Sequence, residues 1–177
     1  MSKPSSRWIA IAFCAAFCAG QARPAAAQVL EQTFSDSLAQ FKVSTPNHHW
    51  KLEPRGIDPG DSKLTVRFEA ALHQFVPNVT VRVVEKVDPE KKLGDWVEEE
   101  IKGLPQGWEV MEKKDITHRG MKGVELVFKE TTAGIVFRQR FFLAKGNSYV
   151  LTCTAKEASV PRVDGDFIKI LNSFEII

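Results

Sequence analysis

The sequence predicts an α+β domain in which an antiparallel β-sheet is flanked by α-helices. Residues 120–155 read GMKGVELVFKETTAGIVFRQRFFLAKGNSYVLTCTA, three alternating or apolar runs parted by short breaks at 131–134 and 145–147. Runs rich in Val, Phe, Thr and Tyr, joined by a few turn residues, signal consecutive antiparallel strands. Leu93, Trp96, Val97, Ile101 and Leu104 recur at helical spacing, as do Val163, Phe167, Ile170, Leu171 and Phe174. Two amphipathic helices among hairpins, without regular βα alternation, select a layered antiparallel architecture.

The first residues are set apart from the fold. Lys3 and Arg7 precede an apolar run at 8–19, and small residues follow up to Ala25, Ala26 and Ala27. A basic start, a short apolar run and an A-x-A site are the pattern of a cleaved secretory signal, with cleavage placed after Ala27. The run falls short of the roughly 20 residues that cross a bilayer, and no later run is long enough. Residues 28–40 read as a lead-in, frayed or forming a short strand, and 41–177 as a single domain. The expected location is the periplasm or the exterior.

Loss of the signal changes the charge argument. The full chain of 177 residues carries a formal charge of +2; residues 1–27 hold Lys3, Arg7 and Arg23 and no acid, so three cations fewer leave −1. No net basic footprint for nucleic acid remains. Cys14 and Cys18 lie inside the signal, which leaves Cys153 alone in the exported chain and without a disulfide partner there. At 44% hydrophobic and 26% charged residues, the composition is that of a folded globular protein.

Along the domain, Phe41, Lys42, Val43 and Ser44 alternate before Pro46, and 48–52 leads to Pro54. Proline cannot donate to a ladder, so the stretch is predicted as one edge-like strand with a bend. A Gly- and Pro-rich loop is predicted at 55–62. Strands are predicted at 63–71 and 79–87, with Leu64, Val66, Phe68 and Ala70 on one inward face and Val79, Val81 and Val83 on another. Asp88 and Pro89 form an N-cap and first-turn signal for the first helix, which Gly103 and Pro105 end. A strand at 108–118 breaks at Arg119 and Gly120 and feeds the three-strand meander. After a loop through Pro161 the second helix is predicted from about Val163 to Ser173, with Asp164 and Asp166 in its acidic first turn. The apolar tail at 174–177 should tuck beside the sheet.

Several residues invite a chemical reading. His48 and His49 are adjacent, and in an extended strand their side chains point to opposite faces, so they do not chelate one ion. With only His73 and His118 elsewhere and no zinc spacing, no metal or cofactor is expected. Cys153 alternates with Leu151 and Ala155 and reads as a small buried hydrophobe. Glu98, Glu99 and Glu100 spread around a helix and read as a solvated face. Strand parity groups Arg67, Glu69, Arg82, Glu125, Lys129, Arg138, Arg140, Thr152 and Thr154 opposite the apolar rows. Arg67, Arg82, Glu125, Arg138 and Arg140 are thereby candidates for binding a partner, because arginine gives planar contacts to carboxylates and phosphates. Cross-strand ion pairing on a half-solvated face is the structural alternative.

The order of motifs resembles the DcrB-like and PsbP-like domains. The likeness lies in Phe41-Lys42-Val43-Ser44-Thr45-Pro46 leading to Trp50, in Gly120 and Gly123 at the hairpin entrance, in Tyr149-Val150-Leu151, and in the closing Phe167-Ile168-Lys169-Ile170-Leu171-Asn172-Ser173-Phe174. It implies an α/β/α sandwich and a family of accessory proteins without a shared catalytic motif, among them a photosystem subunit, envelope proteins and secretion chaperones. The reading is therefore an exported, non-catalytic accessory or chaperone-like protein that meets another envelope protein through its sheet face. Alternatives are a small-ligand carrier with a pocket around Trp96 and a hydrolase assembled from scattered residues.

Overall fold

A seven-stranded antiparallel sheet forms the centre of the protein. The structure, a computed structural model, describes residues 32–54, 62–84, 87–88 and 90–177. The predicted signal and almost all of the predicted loop at 55–62 lie outside these residues. The strands are β1 (Thr33–Asp36), β2 (Phe41–Ser44), β3 (Trp50–Pro54), β4 (Ser62–Phe68), β5 (Asn78–Val84), β6 (Trp108–His118), β7 (Met121–Glu130), β8 (Ile135–Ala144), β9 (Asn147–Lys156) and β10 (Glu175–Ile176). The helices are α1 (Leu93–Lys102) and α2 (Val160–Ser173), the latter entered through a 3-10 turn at Glu157–Ser159. The large sheet runs β3-β4-β5-β9-β8-β7-β6, and a small sheet runs β1-β2-β10.

Each face of the large sheet carries its own core. On one, α1 sets Trp96 and Val97 against Val124, Leu126, Phe128, Phe141 and Val150. On the other, α2 and the small sheet bring Phe41, Val43, Val163, Phe167, Ile170, Leu171 and Phe174 against Trp50, Val66, Val81, Phe142, Tyr149 and Leu151. Full burial of one such side chain contributes about 1.5–3 kcal/mol. The sheet is thus sandwiched between layers, as the sequence predicts.

Several boundaries differ from the sequence reading. The predicted single strand over 41–54 is two strands in two sheets: β2 is the middle strand of the small sheet, and β3 is an edge of the large one. Pro46 and the Asn47 side chain, which accepts the His49 N–H at 3.0 Å, turn the chain between them. The first helix starts at Leu93 rather than at the Asp88 signal. Asp88 instead accepts the Glu90 N–H at 2.9 Å in a separate turn, and Lys92 precedes α1 without a side-chain cap. The second helix starts earlier than predicted, at Val160, because Pro161 occupies its first turn, where no N–H is needed. Asp164 and Asp166 therefore lie beyond the first turn. Ala70 is exposed rather than inward, since β4 ends at Phe68.

Candidate functional site

The five arginine and glutamate candidates do not share a face. Cross-strand partners project on one side, and the register pairs Glu125 with Arg140, Arg140 with Leu151, and Arg138 with Cys153. These three charged residues therefore lie on the α2 side, among the apolar rows. Arg67 pairs with Asn78, Asn78 with Thr154, and Arg82 with Val150, which sits in the α1 core. Arg67 and Arg82 lie on the α1 side with Thr152 and Thr154. The grouping predicted from parity is corrected on this point. β7 and β8 are covered on both faces, so neither face of these strands is a polar row to count from.

Glu125 is the centre of a charged cluster beneath α2. Its carboxylate is 2% exposed and accepts Arg140 Nε at 2.7 Å, Arg138 at 3.0 Å and Lys114 Nζ at 3.0 Å. The two arginines also reach α2: Arg138 donates to Asp164 Oδ1 and Arg140 to Asn172 Oδ1, each at 2.9 Å. Burial pushes the Glu125 carboxyl up, but the hydrogen bonds from Arg140 and Lys114 and the two guanidinium charges outweigh it and hold it below the usual carboxylate range. Glu112 and Glu125 raise Lys114 above the ordinary lysine value. These contacts latch α2 to the sheet. Lys114, Asp164 and Asn172 were not among the predicted candidates; the charged cross-strand position of Lys114 opposite Glu125 was the available signal.

The α1 side offers a different surface. α1 packs on β7 and β8. Beyond it, Thr65, Thr80, Thr152 and Gln139 form one row across four strands, each residue registered against the next. Arg67, Asn78 and Thr154 form the row beside it. All of these side chains keep contact with solvent. Gln139 Nε2 donates to Thr152 Oγ1 at 3.1 Å, Arg67 lies 3.8 Å from Glu53, and Arg82 lies 3.6 Å from Glu100 on α1. Half-exposed Phe137, opposite Thr154, stacks with Trp108 at 4.8 Å and closes the patch at one end. The result is a partly exposed face of hydroxyl and amide groups bearing two arginines.

The remaining predicted residues serve the fold. His48 and His49 lie in a turn, not in an extended strand, and their ring centroids are 3.9 Å apart, with His49 Nδ1 2.6 Å from Glu69. Among the described residues no group of three His, Cys, Asp or Glu side chains is placed to hold a metal ion. Cys153 is buried, and burial pushes its thiol well above the ordinary value. His118 hydrogen-bonds the Phe174 carbonyl through Nε2 at 2.7 Å. Glu98 is held low by a hydrogen bond from Lys113. Trp96 fills the space under α1, edge-on to Phe141 at 5.2 Å, and clefts of about 420 and 380 Å³ open on either side of the helix.

A helix-flanked antiparallel sheet of this order, with a small second sheet beside the last helix, defines the class of protein. The chain belongs to the PsbP-like protein family, whose pattern it matches over residues 61–176. Among solved structures it is similar to cyanobacterial PsbP from Synechocystis sp. PCC 6803, with a TM-score of 0.61 and 16% identity over 86% of this chain and 95% of that one. It is also similar to LpqN of Mycobacterium tuberculosis, described as involved in cell envelope biogenesis, with a TM-score of 0.57 and 16% identity over 84% and 91% of the two chains. A third similar structure is PA94 of Pseudomonas aeruginosa, a putative regulator of unknown function, at 0.56 and 16% over 71% and 95%. No curated protein matches the chain.

Proposed function

We propose that this protein is an exported, non-catalytic accessory protein that holds another envelope protein against the open part of its large sheet. The observation that supports this most directly is the Thr65–Thr80–Thr152–Gln139 row, flanked by Arg67 and Arg82 and left uncovered by α1. Hydroxyl and amide groups cost less to desolvate than charged ones and regain hydrogen bonds from a partner's polar groups, while the two guanidinium groups offer bidentate contacts to its carboxylates. Membership of the PsbP-like family and likeness to an envelope-biogenesis protein fit a role outside the cytoplasm. Arg138 and Arg140 leave the docking role and become structural, because their guanidinium groups are spent on Glu125, Asp164 and Asn172.

Crosslinking capture from envelope fractions tests this reading. The Arg67→Ala/Arg82→Ala variant should lose a partner that the wild type retains, with its melting temperature nearly unchanged, because among the described residues both arginines make long, exposed ion pairs. Undiminished capture by that variant would overturn the assignment of this face.

A further inference from the structure

The opposite flank of the molecule carries an open polar cleft of about 670 Å³, lined by Lys42, Arg119, Lys169, Asn172, Ser173 and Glu175 among others. We propose that this cleft binds a phosphorylated ligand, independently of the sheet face discussed above. Three cations line it against one carboxylate, and they come from β2, the β6–β7 turn and α2. Glu175 Oε2 meets Lys42 Nζ at 3.0 Å and Arg119 at 2.6 Å, so this one acid is shared by two cations. Lys169 extends outward with 68% of its side chain exposed and only a 3.8 Å contact to Asp166. Asn172 turns its Oδ1 to Arg140, which leaves its amide N–H groups as donors. A cleft rich in donors and cations, built from separate elements, suits an anion with several oxygens.

Two hairpin turns add to the charge at this end of the sheet. Arg119 sits at φ 48° ahead of Gly120 at φ 80°, and Lys145 at φ 51° ahead of Gly146 at φ 75°. Hairpins of this geometry favour Asn, Asp or Gly at the first position, since a longer side chain is strained there. Both turns lie at the same end of the sheet, where Arg119, Lys145 and Glu175 line an adjoining cleft of about 400 Å³. Two basic residues occupy the positions where turn geometry alone would select asparagine. Gln40, His73 and Gln74 hold positive φ as well, and Lys145 Nζ donates to the Ile177 carbonyl at 2.7 Å, so what these two turns add to the cleft is positive charge at its end.

The test uses protein expressed from the full-length chain, as wild type, Arg119→Asn and Lys169→Gln. Calorimetric titration with inorganic phosphate should show saturable binding by the wild type that weakens with salt, about tenfold weaker binding by Arg119→Asn, and weaker binding by Lys169→Gln. Arg119→Asn should melt no lower than wild type, since asparagine accepts the left-handed turn. Should that variant fail to fold, Lys169→Gln carries the comparison alone, its side chain being mostly free. Flotation with phosphatidylglycerol vesicles, against phosphatidylcholine vesicles, separates the sources. Arg119-dependent flotation identifies a lipid headgroup, and phosphate binding without flotation identifies a soluble phosphate ester. Absence of both, or binding that neither substitution changes, overturns the proposal.

Discussion

At the scale of single residues, Gly123 and Glu125 show how one β-strand serves two constraints two positions apart. A Cβ on Gly123 would lie 2.6 Å from the Phe142 ring and 2.9 Å from the Phe141 carbonyl, closer than real contacts allow. Gly123→Ala is expected to lower stability by about 1–3 kcal/mol, the cost of forcing extra volume into a packed core, read by urea unfolding. Glu125 tests the charged cluster. Glu125→Gln leaves Arg138 and Arg140 without their carboxylate and should cost about 3 kcal/mol, the lower end for a broken buried pair because Arg138 keeps some water contact. The pH dependence has a definite sign. The folded carboxyl is held below its unfolded value, so its contribution is full above about pH 4.3 and is lost as pH falls through the lower folded value. Wild type should therefore lose stability in acid more steeply than Glu125→Gln in the same denaturant series; equal slopes would contradict the cluster.

At the scale of elements, α2 is held by polar contacts as well as by its apolar stripe. Asp166 Oδ2 accepts the indole N–H of fully buried Trp50 at 2.9 Å and the Asn47 amide at 3.1 Å, tying α2 to β3 and the turn before it. Asp166→Ala should cost about 2 kcal/mol by leaving a buried N–H unpaired, with altered tryptophan fluorescence as the check. The sequence alone puts Asp166 in the first turn of α2, because it starts the helix three residues late, behind Pro161. At the other edge of the sheet, β6 is long and exposed but carries Glu109, Glu112, Lys113, Lys114 and Asp115, with a bulge between Val110 and Glu112. Charges and a bulge on an edge strand discourage further strand pairing, consistent with the proposed use of the α1-side face rather than this edge. The α1 stripe was legible from its helical period, and the β7–β9 meander from ten-residue runs rich in β-branched and aromatic residues parted by turn residues. The grouping of arginines was not: alternation separates two faces within a strand but does not say which faces match between strands.

At the scale of the whole molecule, two cores on opposite faces hold the described residues together without a disulfide among them, and Cys153 lies wholly inside one of these cores. Among the described residues no helix is long and apolar enough to cross a membrane. The export reading predicts that protein recovered from the envelope or medium begins at Gln28, as intact-mass measurement would show; an unprocessed N-terminus would contradict it. The proposed capture surface and the proposed anion cleft lie on different layers, one on the α1 side of the sheet and the other beside α2 and the small sheet. Substitutions in one should therefore leave the other intact, because separated sites without shared partners act additively.

By itself, the sequence determined the α+β class, the two helices, the strands β4 to β9 and the inward positions Leu64, Val66, Phe68, Val79, Val81 and Val83 with the α2 stripe, since these follow from local periodicity and turn residues that act over a few positions. Only the tertiary structure decided that Arg138, Arg140 and Glu125 form a buried latch while Arg67 and Arg82 face outward, and that Lys42, Arg119 and Lys169 meet around one cleft. Those outcomes depend on register between strands and on which layer covers each face, and these are set by contacts between residues far apart in the chain.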